Sequence, residues 1–317
     1  MIPGIWLEPE VIGIRSPIIS ELPDEAFFQE NGKRVIEKSR YQLDYRHPAV
    51  IARMDNVIDT LVNEYGIGYF KLDYNVDVDN GTDYNAFSSG AGALGHNRAY
   101  LQWITRIMER FPGLVIEACS SGGQRLDYAM LALHPIQSTS DQQDPVRFAV
   151  VSAAIPTAIA PEQSASWAYP QPGWSDELNA LTVVNTLLGR VHLSGRIDLL
   201  NEKQLELIKD GMDVYKEIRQ DIKTSVPFWP LGLPKWHDNW LSVGLHTTSG
   251  MYLAVWRRAG SLTCSLPLKH SAEITAKLLY PKNFEVEAAW DAEAGALKVT
   301  LPATTCARLF KLVRKTE

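Results

Sequence analysis

The segment Tyr69-Phe70-Lys71-Leu72-Asp73-Tyr74-Asn75 has the pattern of a buried β-strand that ends in polar side chains. Lys71 and Asp73 are two residues apart, so in a strand their side chains lie on the same face. A stretch of helical periodicity precedes the segment at 48–65, and another follows it at about 95–111. Strand and helix signals that alternate in this way predict a parallel sheet covered by helices.

The same alternation extends through the first two-thirds of the chain, where a further helix is expected at 201–219 with Asn201 as its cap. The predicted parallel strands are 3–7, 67–72, 114–118, 136–139, 157–160 and 190–194. After Ile222 the chain becomes rich in proline and then in short apolar runs separated by turn residues. These runs predict an antiparallel sheet or sandwich with strands at 240–245, 251–257, 261–266, 272–279, 284–289, 296–301 and 306–313. The sequence thus indicates two domains, 1–222 and 223–317.

Composition and charge exclude several classes of function. The 317 residues carry 31 Lys+Arg against 37 Asp+Glu, a formal charge of -6, which argues against nucleic-acid partners and against a polybasic membrane surface. No stretch has the roughly 18 consecutive apolar residues of a membrane span. The three cysteines are too few for a disulfide framework and form no CxxC pair, which favours a reducing compartment. No signal-peptide pattern follows Met1, and we therefore expect a cytoplasmic protein.

Three predicted strand ends carry the groups from which a site could be built. In a parallel α/β barrel the chemistry lies at the carboxyl ends of the strands. The first end is the segment around Lys71 and Asp73, which has a structural ion pair as its alternative interpretation. The second, 114–123, ends in small residues that let a ligand approach the backbone, or it is a tight turn with a half-buried thiol. The third, 137–145, is polar, and Asp141 is either a functional acid or a helix N-cap.

Two carboxylates on different strands of one barrel have a known use in glycoside hydrolysis. A retaining glycosidase needs an ionised nucleophile and a protonated acid roughly 5–5.5 Å apart. Asp73 and Asp141 are the candidates, and Lys71 would favour the ionised form of Asp73. The aromatic residues of 167–174 offer stacking faces for sugar rings, although buried core tryptophans are the commoner interpretation.

Four ordered motifs carry a family resemblance. They are Gly4-Ile5-Trp6-Leu7-Glu8-Pro9-Glu10, Tyr69-Phe70-Lys71-Leu72-Asp73-Tyr74-Asn75, Glu117-Ala118-Cys119-Ser120-Ser121-Gly122-Gly123 and Ser138-Thr139-Ser140-Asp141-Gln142-Gln143-Asp144. In this order they resemble the motifs of glycoside hydrolase family 36, the bacterial α-galactosidases. The likeness covers essentially the whole chain and includes Trp229-Pro230-Leu231-Gly232 at the entrance to the last domain.

The resemblance implies a retaining α-galactosidase that acts on raffinose- or melibiose-type sugars without a metal or redox cofactor. By position, Asp73 is implied to be the nucleophile and Asp141 the acid and base. Lys71 is implied to hydrogen-bond the C3 and C4 hydroxyls of galactose, with Asn75 beside the nucleophile.

The remaining implied pocket residues are Cys119 and Gly122, which would fit closely around the C2 hydroxyl and disfavour an N-acetyl group. Arg40 matches a family arginine near the sugar pocket. Glu8 and Glu10 are interpreted as structural acids at the end of the first strand.

The sequence also departs from the family pattern. Ala118 stands where many relatives have asparagine, and Gln142-Gln143 replaces the commoner Asn-Thr, so acceptor specificity stays open. Alternative activities are an α-N-acetylgalactosaminidase, a galactosyl transferase, or an incompetent remnant that only binds sugar or a partner chain.

The family's N-terminal β-sandwich and two further barrel strands, with an aspartate pair that binds galactose, have no counterpart before Gly4. We therefore expect an incomplete (β/α)8 TIM-type barrel, about strands 3 to 8, followed by a C-terminal antiparallel β-sandwich. Six strands cannot close such a barrel. A coding sequence shortened at its 5′ end, a partner chain that completes the barrel, and a homo-oligomer of the fragment are the explanations left open.

Overall fold

The computed structural model describes residues 1–268 and 274–314, and the chain divides into two compact units, 1–138 and 139–317. Each unit is described by itself. The strands of the first unit are β1 (Gly4–Leu7), β2 (Val11–Gly13), β3 (Gln29–Glu30), β4 (Lys33–Arg34), β5 (Ile36–Glu37), β6 (Arg40–Gln42), β7 (Tyr69–Leu72), β8 (Val115–Ala118) and β9 (Ile136–Ser138). Its helices are α1 (Pro48–Asn63), α2 (Ser89–Arg110) and α3 (Tyr128–Leu133).

Four strands of the first unit form a parallel array in the order β1-β7-β8-β9. The register places Lys71 opposite both Trp6 of β1 and Glu117 of β8. Small antiparallel sheets, β2-β6-β5 and β3-β4, lie in the connection between β1 and α1. This array brings the ends of β7 and β8 to one edge, which is where the sequence placed its candidate residues.

Helices α1 and α2 confirm the two amphipathic stretches that flank β7. Pro48 occupies the first turn of α1, and the side chain of His47 accepts a hydrogen bond from the Ala49 amide. Helix α2 starts at Ser89, several residues before the predicted start, because Ser88 accepts from the Ala91 amide and caps it. The apolar faces of both helices and of β7 share one core, which contains the fully buried side chains of Phe70 and Trp103.

The second unit combines two parallel strands with helices and two antiparallel sheets. Its first part contains α4 (Pro145–Ala154), β10 (Ser164–Ala168), α5 (Asp176–Leu187), β11 (Arg190–Leu193) and α6 (Glu202–Ile222). Its later strands are β12 (Val226–Phe228), β13 (Trp240–Thr247), β14 (Gly250–Arg257), β15 (Thr263–Pro267), β16 (Ile274–Tyr280), β17 (Glu287–Asp291), β18 (Ala296–Thr300) and β19 (Cys306–Arg314). Strands β10 and β11 pair in parallel, and β11 confirms the strand predicted at 190–194.

The later strands form an antiparallel sandwich. One sheet has the order β12-β13-β14-β19-β16 and the other the order β15-β18-β17. Apolar side chains of both sheets meet in a common core that includes Leu253, Leu297 and Phe310. The predicted antiparallel strands are confirmed where they are described, and residues 272 and 273 of one of them lie outside the described residues.

One predicted parallel strand is wrong. Residues 157–160 form no strand, because α4 continues through a 3-10 turn at Ile155–Thr157 with Pro156 in its first positions. The strand is Ser164–Ala168, whose small side chains are buried on both faces. Its sequence, Ser-Ala-Ser-Trp-Ala, lacks the bulky apolar residues by which the other strands were identified.

Candidate active site

Asp73 is the first residue beyond β7 and has a buried, hydrogen-bonded carboxylate. Its amide continues the ladder by donating to the Leu7 carbonyl over 2.8 Å. Trp6 Nε1 donates to Oδ2 over 3.0 Å, and the Tyr74 amide donates to Oδ1 over 2.9 Å. Burial alone would raise the pKa of Asp73, but hydrogen bonds from Trp6, Asn75, Cys119 and the Tyr74 amide outweigh it and lower that pKa. Asp73 is therefore an ionised carboxylate at neutral pH.

Lys71 lies two residues earlier on the same face of β7, as the strand period predicts. Its Nζ donates to Ser138 Oγ over 3.1 Å and lies 3.3 Å from Glu117 Oε1. Burial opposes the charge of Lys71, but the nearby charge of Glu117 prevails and raises the pKa of the lysine. Lys71 is thus a fixed cation, and its position is set by side chains from β8 and β9.

Asn75 and Arg40 are brought together by Glu8. Asn75 Nδ2 donates to Glu8 Oε1 over 3.1 Å, and Arg40 Nε donates to Glu8 Oε2 over 3.1 Å. The Oδ1 atom of Asn75 accepts from both the amide and the hydroxyl of Ser121, each over 2.9 Å. Glu8 therefore joins two predicted site residues, in agreement with its interpretation as a structural acid.

Cys119 and Gly122 lie in the turn that follows β8. The Cys119 amide donates to the Leu72 carbonyl over 2.9 Å, which holds this turn against the end of β7. Gly122 has φ +82° and Ser121 φ +43°, backbone angles that favour a residue without a β-carbon. Burial raises the pKa of the Cys119 thiol to about 11, although a hydrogen bond with Ser138 and the charge of Lys71 act against it. The thiol is therefore neutral at pH 7, which argues against a nucleophilic role.

Glu10, His96 and Arg125 form a buried ionic cluster behind Tyr74, and of these three residues the sequence indicated only Glu10. Arg125 Nη2 donates to Glu10 Oε1 over 2.8 Å, and His96 Nε2 lies 2.9 Å from Glu10 Oε2. Because the Tyr45 amide donates to His96 Nδ1, the ring proton belongs on Nε2, facing the carboxylate. The Arg125 guanidinium lies 4.5 Å from the centroid of the Tyr74 ring. The only sequence signal for this cluster is the distant pair of opposite charges at Glu10 and Arg125.

Asp141 belongs to the second unit and is exposed there, between Ser138 and α4. The alternative interpretation of this residue as a helix cap is wrong, because Asp144 accepts from the Val146 and Arg147 amides and caps α4. Burial, together with the charge of Asp141, raises the pKa of Tyr169 to about 12. Trp167 stacks with Tyr169 at a centroid distance of 6.1 Å, so the tyrosine on which Asp141 acts belongs to an aromatic pair.

In the part of the chain that the structure describes, no cluster of three or more His, Cys, Asp or Glu side chains has an arrangement that would hold a metal ion. Among the described helices, none is long and apolar enough to cross a membrane.

The sequence and the fold of this chain both match known proteins. The sequence model of Melibiase matches residues 1–224. The chain belongs to the Melibiase family. The α-galactosidase AgaA of Geobacillus stearothermophilus is 26% identical over 233 residues, covering 68% of this chain and 30% of that protein. A probable α-galactosidase G of Emericella nidulans is 26% identical over 275 residues, covering 83% of this chain and 36% of that protein.

Solved structures of the Melibiase relatives show the same fold. The crystal structure of the family 36 α-galactosidase AgaA superimposes with a TM-score of 0.81 at 19% identity, covering 98% of this chain and 44% of that one. Variants of AgaA have been solved in complex with raffinose and with stachyose. These matches confirm the resemblance to glycoside hydrolase family 36. This Melibiase chain spans about a third of the length of the curated relatives that it matches.

Proposed function

We propose that this chain carries the catalytic core of a retaining α-galactosidase. The observation that carries the proposal is Asp73, a buried carboxylate at the end of β7 whose pKa is lowered although burial opposes its charge. A glycosidase nucleophile must be ionised before it attacks, and Trp6 Nε1 and the Tyr74 amide stabilise that form. The family match to Melibiase supports the same role.

In the proposed reaction, Asp73 attacks the anomeric carbon while Asp141 gives its proton to the leaving glycosidic oxygen. The bond to the leaving sugar breaks as the ester bond to Asp73 forms. Asp141, now a carboxylate, takes a proton from water, whose oxygen displaces Asp73 from the anomeric carbon. Two inversions give net retention. The exposure of Asp141 supports this role, because the residue must exchange protons with water.

The sugar is proposed to bind against the side chains around Asp73. Lys71 would donate to the hydroxyls at C3 and C4, and Asn75 and Arg40 would line the pocket from opposite sides of Glu8. Cys119 and Gly122 would lie against the C2 hydroxyl, where the closely held turn after β8 leaves little room for an N-acetyl group. This arrangement favours galactosides over N-acetylgalactosaminides.

The proposed substrates are α-galactoside oligosaccharides of the raffinose or melibiose type. Complexes of AgaA variants with raffinose and with stachyose support this choice. Both sugars have a terminal α-galactosyl group, and the proposed pocket residues would contact only that group.

The test of the proposal is hydrolysis of an aryl α-galactoside by the wild-type chain and by Asp73→Asn. We expect the variant to lose at least about a thousandfold in rate, because removal of a nucleophile removes the covalent route. Asp59→Asn, on the surface of α1, is the matched control and should keep the wild-type rate. Hydrolysis that survives in Asp73→Asn would refute the assignment. A folded wild-type chain that binds galactose without cleaving its glycosides would favour the binding-only alternative.

We also propose that residues 1–222 form a partial (β/α)8 barrel, equivalent to about strands 3 to 8, and that 223–317 form a separate domain. The family match that ends at residue 224 and the antiparallel pairing from β12 onward support this boundary. Because β1 is a terminal strand in its sheet and Trp6 on it is half exposed, we propose that further strands pair with β1 to complete the barrel, supplied by an N-terminal extension of the same chain, by a partner chain or by a second copy. The free cysteines support a cytoplasmic location.

A further inference from the structure

Glu117 is a deeply buried acid beside the proposed sugar pocket, and no step of the proposed reaction uses it. It lies in β8, directly opposite Lys71 in the register of the sheet, and its side chain is 1% exposed. Its carboxyl group accepts hydrogen bonds from the hydroxyls of Tyr69 and Ser138, and Lys71 Nζ lies 3.3 Å from its Oε1 atom. Side chains of the two strands that flank β8 thus converge on the carboxyl group of Glu117.

The donors identify the charge state of this group. Two hydroxyls and an ammonium group all direct protons at Glu117, and an ionised carboxylate, which only accepts, suits all three. A buried carboxylate without a cation would be costly, so Glu117 and Lys71 depend on each other. Ser138 strengthens the connection, because its hydroxyl accepts from Lys71 while donating to Glu117.

Two carboxylates, those of Glu117 and Asp73, compete for the ammonium group of Lys71. Glu117 attracts Lys71 more strongly than Asp73 does. Without Glu117, the ammonium group would be drawn toward Asp73 and would neutralise the carboxylate that the reaction needs free.

We propose that Glu117 is a positioning residue. It holds the ammonium group of Lys71 within reach of the sugar hydroxyls and away from the carboxylate of Asp73. The inference rests on the proposed function only in that Lys71 is taken to contact the sugar. The interaction of Lys71 with Glu117 and Ser138 depends only on the pairing of β7, β8 and β9. In the proposed reaction Glu117 touches neither substrate nor the reacting atoms.

The experiment measures Lys71 directly, in the full chain and without any substrate. The chain is treated briefly with acetic anhydride at pH 8, and acetylation of Lys71 is followed by peptide mass spectrometry. Only the uncharged amine reacts, so loss of Glu117 should speed the labelling of Lys71 about tenfold, the effect of one pKa unit. The variants are Glu117→Gln, which removes the charge, and Glu117→Asp, which keeps it and should retain slow labelling. Glu64→Gln, exposed at the end of α1, is the control.

A second readout separates positioning from mere packing. If the chain hydrolyses aryl α-galactosides, Glu117→Gln should raise KM at least tenfold and also lower kcat, with Glu117→Asp restoring part of both. Faster labelling of Lys71 in a chain that hydrolyses nothing would sustain the positioning role and refute the proposed function.

Unchanged labelling in a folded Glu117→Gln chain would overturn the inference. If that variant does not fold, Ser138→Ala tests the inference instead. This substitution keeps the charges of Lys71 and Glu117 and removes only the hydroxyl that bridges them. Labelling of Lys71 in Ser138→Ala should be about two- to threefold faster than in the wild type, as expected for a net hydrogen bond of modest strength. A wild-type rate there would overturn the inference equally.

Discussion

The indole Nε1 of Trp6 donates a hydrogen bond of 3.0 Å to Oδ2 of Asp73, so strand β1 helps to hold the carboxylate that follows β7. The bond joins residues 67 positions apart in the chain. It also explains why a half-exposed tryptophan lies on a terminal strand: its ring nitrogen contributes to the low pKa of Asp73.

Replacing Trp6 with phenylalanine should destabilise the protein by about 1 kcal/mol at neutral pH, the net value of such a hydrogen bond. Because the pKa of Asp73 is lowered in the folded state, its contribution is present above the pKa of the unfolded chain. That contribution is lost as the pH falls through the lower folded value. The difference between Trp6→Phe and the wild type should therefore shrink toward acid pH, as measured by urea unfolding followed by circular dichroism.

Trp236→Phe is the matched control for this experiment, since Trp236 is 47% exposed and Trp6 49%. It should change stability by less than about 0.5 kcal/mol at every pH, as is usual for surface substitutions. Equal effects of the two substitutions would show that the Trp6 hydrogen bond does not stabilise the folded state.

The ion pair of Glu10 with Arg125 should make a larger contribution because it is buried. Burial raises the pKa of Glu10, but Arg125 and His96 more than reverse this and lower it from 4.5 to about 2. Glu10→Gln leaves the Arg125 charge without its partner, and we expect a loss of about 3 kcal/mol at pH 7. Because the pKa of Glu10 is lower in the folded state than in the unfolded chain, this stabilisation is fully present above pH 4.5. The stabilisation disappears as the pH falls to about 2.

Urea unfolding of Glu10→Gln at pH 7 and at about pH 3 would check both parts of this prediction, with Glu64→Gln as the exposed control. The wild type should lose stability between the two pH values more steeply than Glu10→Gln does. Parallel losses in the two proteins would contradict the assignment of this pH dependence to Glu10.

Much of the fold could be predicted from the sequence because most of its elements carry a strong period. Strands β1, β7 and β8 and helices α1 and α6 all bury one apolar face, and that face was visible in the spacing of their residues. Strand β10 was missed because most of its own side chains are small, so it lacks the bulky apolar residues that mark the other strands. Helix α5 was missed for the opposite reason: residues 179–187 are all buried, so no polar stripe marks it as a helix.

The sequence predicted candidate residues at strand ends, and the structure has Lys71 within β7 and Asp73 and Cys119 directly after β7 and β8. The partners that set the charge of these residues could not be predicted, because each partner lies on another strand. Trp6 reaches Asp73 from β1, and Ser138 reaches Lys71 from β9. Such contacts depend on the register of neighbouring strands, which the pattern within one strand does not contain.

The three cysteines should differ in their reaction with iodoacetamide. Burial raises the pKa of Cys119 and of Cys306 to about 11, and both side chains are buried, whereas Cys264 is half-buried. Only the thiolate reacts, so at pH 8 we expect Cys264 to be labelled at least ten times faster than the other two. Peptide mass spectrometry over time would show this order, and labelling of Cys119 as fast as Cys264 would mean that the turn after β8 opens readily. In urea, where all three thiols are exposed, their rates should converge.

Gly211, in the middle of α6, should tolerate alanine poorly although alanine favours helices. A β-carbon at this position would lie 2.6 Å from Val183 Cγ1 of α5 and 3.2 Å from the Tyr280 ring. Overpacking of this kind costs about 1–3 kcal/mol, which exceeds the gain of about 1 kcal/mol from helix propensity, so Gly211→Ala should be destabilising. Gly90→Ala in the first turn of α2 is the control, because nothing lies within 4 Å of its β-carbon, and it should be neutral or stabilising. Opposite signs in urea unfolding would establish that contact with α5 and Tyr280, and not helix propensity, requires glycine in α6; a stabilising Gly211→Ala would refute it.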